Sequence, residues 1–152
     1  DNADGQAVVS GHRPAVMRAI ELAKKRGARR ALLLEVSAPF HCALMAPAAE
    51  RLRQALTAVE LRPPAVPLIA NVTAEPVQDP MTIRGLLIRQ ATARVRWREI
   101  MARMVELGID RVLEFGPGKV LSGLCRRAIP TADTMSIATP ADIDLAVNAL
   151  CG

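Results

Sequence analysis

The chain has 152 residues, 51% of them apolar and 23% charged, which suits one ordinary domain with a sizeable core and excludes intrinsic disorder. Only 2% are aromatic (Phe40, Phe115 and Trp97, with no tyrosine), so the stacking platforms of base-reading modules are absent and aliphatics must fill the core. A net charge of +5 and an isoelectric point near 9.9, carried mostly by arginine, point to an acidic or phosphorylated partner without choosing one.

The opening Asp-Asn-Ala-Asp-Gly is polar and turn-like, has no basic or apolar leader, does not start with Met, and reads as a piece excised from a longer chain. Gln6–Val9 is a predicted strand. A helix follows from Pro14 to about Arg26, with proline in its first turn and Gly27 as its stop. The apolar run Ala31–Val36 is a predicted buried strand, and Pro39 makes Ser37–His41 a loop. Another helix is expected from Ala43 or Pro47 to Leu61, with Ala48, Leu52, Leu56 and Val59 on its inner face.

Val66–Ala70 contains a proline and is predicted as an edge strand or a strand start. Asp79-Pro80 opens a helix to Gln90 as cap and first-turn proline, and a further helix covers Arg96–Leu107 up to Gly108. Arg111–Phe115 is a strand, then come Gly116-Pro-Gly-Lys119 and a short helix to Arg127. A last strand spans Thr134–Ala138 and a terminal helix reaches about Leu150. The alternation predicts an α/β fold with a mostly parallel sheet. No apolar stretch approaches the roughly 20 residues of a membrane span. Cys42, Cys125 and Cys151 form no C-x-x-C pair, so neither a disulfide framework nor a metal site is indicated, and a reducing cytoplasm is expected.

His41 is a candidate general base because it sits in a loop after a strand, where α/β proteins place their sites; a loop histidine bonded to backbone is the alternative. His12 begins a basic helix and reads as surface. Cys42 adjoins His41 in sequence, but neighbouring side chains diverge, so a small packed thiol is favoured over a dyad. Neither Ser10 nor Ser122 lies in a G-x-S-x-G elbow, so a base is present without its nucleophile. Gly116–Lys119 is either a phosphate loop or a tight turn; Val120 follows the lysine where a phosphate loop has Ser or Thr. Arg94, Arg96 and Arg98 around Trp97, and the pairs Arg29-Arg30 and Arg126-Arg127, read first as solvated faces.

Taken together these residues carry a resemblance. Ser37-Ala-Pro-Phe-His-Cys-Ala-Leu-Met45, followed by Pro47-Ala-Ala, resembles the segment bearing the catalytic histidine of malonyl-CoA:acyl carrier protein transacylases. Gly5-Gln-Ala-Val-Val-Ser-Gly11, Arg89-Gln90 with Val95-x-Trp97, and Glu114-Phe-Gly-Pro-Gly-Lys-Val-Leu-Ser-Gly-Leu124 resemble other landmarks of that family, in order. Where the family has Tyr-Asn-Pro after the Arg-Gln pair, this sequence has Ala91-Thr92-Ala93.

The resemblance implies an α/β-hydrolase-like acyltransferase core, here partial, with part of a ferredoxin-like inserted subdomain. Residues 1–34 would be the latter half of that insert, and 35–152 the C-terminal part of the core. It also implies a nucleophilic serine in a G-H-S-x-G elbow and a carboxylate-binding arginine in an N-terminal half that this sequence lacks. His41 would be the base, the Gln90 main-chain carbonyl would orient it, and Asn2 matches a substrate-binding asparagine near the site entrance.

The implied reaction is malonyl transfer from malonyl-CoA to the phosphopantetheine thiol of an acidic acyl carrier protein through an acyl-serine, in fatty acid biosynthesis. The implied partners are malonyl-CoA, the carrier protein and the missing N-terminal half. No cofactor, metal or membrane is expected, and no nucleic acid. Phe40 before His41 leans toward malonyl units. The resemblance of Leu145–Gly152 to a natural C-terminus favours a stand-alone cytoplasmic enzyme over a synthase domain. Two readings compete: a basic nucleic-acid-binding domain, which explains the charge but none of the four ordered motifs, and a non-catalytic scaffold of the same fold, which an upstream G-H-S-x-G would separate from the transferase.

Overall fold

The computed structural model describes residues 1–151, Cys151 by its backbone alone; the final glycine of the stretch resembling a natural C-terminus lies outside the described residues. The elements in chain order are α1 (Arg13–Lys25), a 3₁₀ turn (Ala43–Met45), α2 (Ala46–Thr57), β1 (Leu68–Ala70), β2 (Glu75–Val77), α3 (Pro80–Gln90), α4 (Trp97–Glu106), β3 (Arg111–Phe115), α5 (Val120–Ala128), β4 (Asp133–Ile137) and α6 (Pro140–Cys151). They divide into two compact units. One holds Gln6–Arg96 with Asp1, and the other holds Asn2–Gly5 and everything from Trp97 onward.

In the first unit the helix ends follow local chemistry. Proline occupies the first turn of α1, and the helix closes on Gly27 at φ 86°. The Gly27 amide donates to the Lys24 carbonyl and the Ala28 amide reaches back to Ala23, the paired bonds of a Schellman end that needs a left-handed residue. Asp79 caps α3, its carboxylate accepting from the Thr82 amide at 2.7 Å and the Thr82 hydroxyl at 2.6 Å. β1 and β2 form an antiparallel hairpin with Leu68 opposite Val77 and Ile69 opposite Pro76. Ala70, Val72 and Leu86 make its small core, with Val77 and Ala93 packed on them. The Arg96 guanidinium donates to the Val72 and Thr73 carbonyls at 3.3 and 2.8 Å, holding the turn of that hairpin.

Two predicted strands do not form. Gln6–Val9 and Ala31–Val36 belong to no strand, and Leu32, Leu33, Leu34 and Val36 are 40–62% exposed. A strand needs a run of hydrogen-bonded neighbours; among the described residues Gln6 has only an isolated bridge, and Ala31–Val36 pairs with no other segment. The expected helix to Leu61 also stops early. It ends at Thr57, and the Val59 carbonyl turns to accept from Arg84 at 2.8 Å instead of an amide of its own helix. Leu52 and Leu56 are half-buried as expected, whereas Ala48 and Val59 are exposed.

In the second unit β3 and β4 are parallel, in register from Arg111 opposite Asp133 to Phe115 opposite Ile137. The expected mostly parallel sheet is therefore one parallel pair here and one antiparallel pair in the first unit. Met101, Leu124, Cys125, Ile129 and Ala132 form the core, with Trp97, Met104 and Val112 against it. Full burial of such aliphatic side chains contributes about 1.5–3 kcal/mol each. α4 ends as α1 does: Gly108 sits at φ 69°, its amide donates to Val105, and the Ile109 amide reaches Met104.

Candidate active site

His41 lies in the loop between the unpaired Ala31–Val36 segment and the 3₁₀ turn, and its backbone is left-handed at φ 63°. Histidine tolerates that region better than most residues, but it still carries strain of the kind concentrated at functional sites. The loop is braced by short bonds. The Phe40 amide donates to the Ala38 carbonyl at 2.9 Å, and the Met45 amide to the Cys42 carbonyl at 3.0 Å. The Cys42 thiol donates to the Pro39 carbonyl at 3.1 Å, so its proton is directed at backbone and not at the imidazole.

The imidazole is exposed, and it is fixed from one side. Nδ1 lies 3.1 Å from the main-chain carbonyl oxygen of Gln90, which is the last residue of α3 and 49 positions away in sequence. A carbonyl oxygen only accepts, so this contact requires the proton on Nδ1 and leaves Nε2 bare to receive another. The Gln90 side-chain amide nitrogen is 3.4 Å from the same Nδ1 and would favour the opposite tautomer. The shorter carbonyl contact decides between them. Gln90 Oε1 is buried without a partner among the described residues; a half-turn of the amide would bring it onto the Nδ1 proton and end the conflict. The arrangement is a neutral base with its tautomer set by a carbonyl, where a triad would use a carboxylate.

The Gly116–Lys119 segment is a turn and not a phosphate loop. Gly116 and Gly118 take φ 121° and 100°, and the amides that open α5 are already occupied. The Glu114 carboxylate accepts from the Leu121 amide at 3.1 Å, the Ser122 amide at 2.8 Å and the Ser122 hydroxyl. That spends the one proton of Ser122, so the Ser136 hydroxyl, 2.8 Å away, donates to Ser122 Oγ. Glu114 thus supplies the anion that a helix N-terminus attracts. Its carboxyl is held below the usual carboxylate range, first by the Ser122 hydroxyl and then by the Ser122 amide. Cys125 is the opposite case: burial, then the Glu114 charge, pushes its thiol up, which makes it an inert packed group.

A carboxyl with a depressed pKa stabilises the fold fully above its unfolded value of about 4.3, and that contribution is lost as pH falls through the folded value. The protection of the Leu121 and Ser122 amides against hydrogen exchange is therefore expected to fall as pH drops below about 4. In Glu114→Gln it should be low already at neutral pH and insensitive to acid. A variant that keeps the wild-type acid dependence would remove Glu114 from this role.

No protein-family model matches the chain. It is 42% identical over 149 residues to the malonyl CoA-acyl carrier protein transacylase of Bacillus subtilis, covering 98% of this chain and 47% of that protein. To the transacylase of Escherichia coli it is 39% identical over 147 residues, covering 97% and 48%. The solved acyl-carrier-protein-S-malonyltransferase of Bartonella henselae superposes with a TM-score of 0.85 at 45% identity, over 91% of this chain and 44% of that one. Over the half that it matches, the chain is similar to malonyl CoA-acyl carrier protein transacylases.

It spans about half the length of the curated relatives it matches. Its fold is accordingly α/β, a partial acyltransferase core. A further relative, a malonyl-transacylase solved in complex with a type II PKS acyl-carrier protein, matches at 40% identity and a TM-score of 0.85, over 91% of this chain and 45% of that one.

Of the three residues that the family resemblance singles out, the structure joins His41 and Gln90 in the first unit. Asn2 belongs to the second unit and is half-buried. Ala91-Thr92-Ala93, the departure from the family pattern, forms a turn in which the Thr92 and Ala93 amides both donate to the Arg89 carbonyl, and Ala93 packs on the core beside Leu86. The capping role of Glu114 is absent from the sequence reading. A glutamate two residues before a Gly-Pro-Gly turn into a helix was the available signal. Among the described residues no three His, Cys, Asp or Glu side chains are grouped to hold a metal ion, and no helix is long and apolar enough to cross a membrane.

Proposed function

We propose that this chain supplies the general base, and the carbonyl that orients it, for malonyl transfer from malonyl-CoA to the phosphopantetheine thiol of an acyl carrier protein in fatty acid biosynthesis. The nucleophile is a serine outside this chain. The observation that carries the reading is the 3.1 Å contact between His41 Nδ1 and the Gln90 carbonyl, in a chain whose relatives are malonyl CoA-acyl carrier protein transacylases.

A serine hydroxyl is a weak nucleophile until a neutral imidazole accepts its proton. Nε2 of His41 takes that proton as the serine oxygen attacks the thioester carbonyl of malonyl-CoA. The imidazolium then returns it to the departing coenzyme A sulfur. In the second half-reaction the carrier thiol gives its proton to Nε2 and attacks the acyl-serine, and the proton passes on to the serine oxygen that leaves. The Gln90 carbonyl keeps the same nitrogen available throughout, although it stabilises imidazolium less than a carboxylate would.

Within the same proposal residues 1–34 form the latter half of a ferredoxin-like insert and 35–152 the C-terminal part of the core. Asn2 contributes to substrate binding at the entrance, and the enzyme works in the cytoplasm. The relative solved with its carrier protein supports the choice of acceptor.

The test uses the complete enzyme, this chain together with the half that carries the elbow. Malonyl-CoA should leave a covalent malonyl group on a serine of the other half, discharged by the holo carrier protein. Gln90→Ala, which keeps the main-chain carbonyl, is expected to slow both steps less than about tenfold, far below the 10²–10⁴-fold effect of removing a base. No acyl-serine in the wild type overturns the function. A Gln90→Ala loss as large as that of His41→Ala would move the orienting role to the side chain.

A further inference from the structure

Seven of the chain's 20 cations but only one of its 15 acids fall between Arg13 and Arg30, so the remaining residues together carry one more acid than cations. The whole positive charge of the protein is thus a local feature of α1 and the loop after it. All seven (Arg13, Arg18, Lys24, Lys25, Arg26 and the Arg29-Arg30 pair) are exposed. Lys24 pairs with Glu21 at 3.1 Å, and among the described residues the other six have no acidic partner. Arg18 and Lys25 stand seven residues apart, two turns along the outward side of the helix, while Ile20 is buried.

Helix electrostatics explain part of this charge. Lys24, Lys25 and Arg26 sit where the helix dipole favours cations. Arg13 is at the wrong end: α1 has no acid in its first turn and begins with an arginine, which opposes the dipole. Arg29 and Arg30 lie beyond the helix altogether. Local stability is given up here to keep one surface positive, the pattern expected where a surface serves recognition.

We propose that α1 and the Arg29-Arg30 loop form the docking surface for the acidic acyl carrier protein. The proposal rests on the transferase reading above and names the face that its second substrate meets. The surface belongs to the same compact unit as His41 and Gln90. Its charge complements an acidic protein, and a relative at 40% identity, aligned over 91% of this chain, has been solved with a carrier protein bound. Rim charges of this kind act on encounter and are weakened by salt, so the effect falls on carrier capture and not on chemistry.

The experiment compares the complete wild-type enzyme with two fourfold variants of equal charge change. One is Arg18→Glu, Lys25→Glu, Arg29→Glu, Arg30→Glu. The other, a control, is Arg51→Glu, Arg53→Glu, Arg62→Glu, Arg111→Glu, all at exposed positions. At low ionic strength the first variant should raise KM for holo carrier protein roughly tenfold or more, with kcat and the rate of acyl-enzyme formation from malonyl-CoA unchanged. The gap should close in about 0.5 M salt, and the control should shift KM far less. An unchanged KM, an equal shift in the control, or a loss in acyl-enzyme formation instead would each overturn the docking surface. A wild-type enzyme that forms no acyl-serine overturns the transferase reading itself, a different and separately visible failure.

Discussion

His41→Ala in the complete enzyme is expected to lower acyl-enzyme formation by about 10²–10⁴-fold, the range for loss of a positioned general base. The geometry makes the expectation specific. The Gln90 carbonyl holds one imidazole nitrogen protonated at 3.1 Å and leaves the other as acceptor, so nothing else in this loop can take the serine proton. The Cys42 thiol is engaged with the Pro39 carbonyl. Alanine at φ 63° adds backbone strain of its own, which could disturb the loop. His41→Asn separates the two effects, because asparagine tolerates left-handed backbone but cannot serve as a base. Both variants should lose the same activity. Acyl-enzyme formation by His41→Asn at near wild-type rate, followed by rapid quench and mass spectrometry, would take His41 out of the mechanism.

The second large expectation is that the 152-residue chain alone forms no malonyl adduct and associates with itself. It contains no elbow serine, and the Ala31–Val36 run presents exposed leucines and a backbone that pairs with no other segment among the described residues. Such an edge recruits strands from any chain within reach. Gel filtration of the lone chain should show aggregates that clear when the other half of the enzyme is supplied, together with recovery of acyl transfer. A monodisperse lone chain, or a stoichiometric malonyl adduct on any of its own Ser or Cys residues, would refute this; Cys42, one residue from the imidazole, is the first place to look.

The same run shows where sequence reasoning reaches its limit. Helices were legible because their signals are local: proline in the first turn of α1, Asp79-Pro80 ahead of α3, Gly27 and Gly108 at the two Schellman ends. An apolar hexamer such as Ala31–Val36 announces strand propensity, but propensity becomes a strand only when a neighbour supplies the other half of each hydrogen bond. β2 was missed for the converse reason. Glu75-Pro76-Val77 is a poor strand by composition, and its pairing with β1 creates it.

In the site, His41 could be picked out from its loop position, whereas a main-chain carbonyl 49 residues away leaves no trace in side-chain chemistry. Only the family resemblance pointed to Gln90. Glu114 was hidden because its work is done eight residues away, on the amide and hydroxyl of Ser122.

Trp97 is the chain's sole indole, there is no tyrosine, and it packs on the Met101–Leu124 core of the second unit. Intrinsic fluorescence of this chain is therefore an optical tag on one unit alone, while far-ultraviolet dichroism sums the helices of both. Heating monitored by the two signals together becomes a count of cooperative blocks: coincident curves mean that the units melt as one, and an early dichroic loss at constant fluorescence marks the first unit, with its histidine loop, letting go before the second.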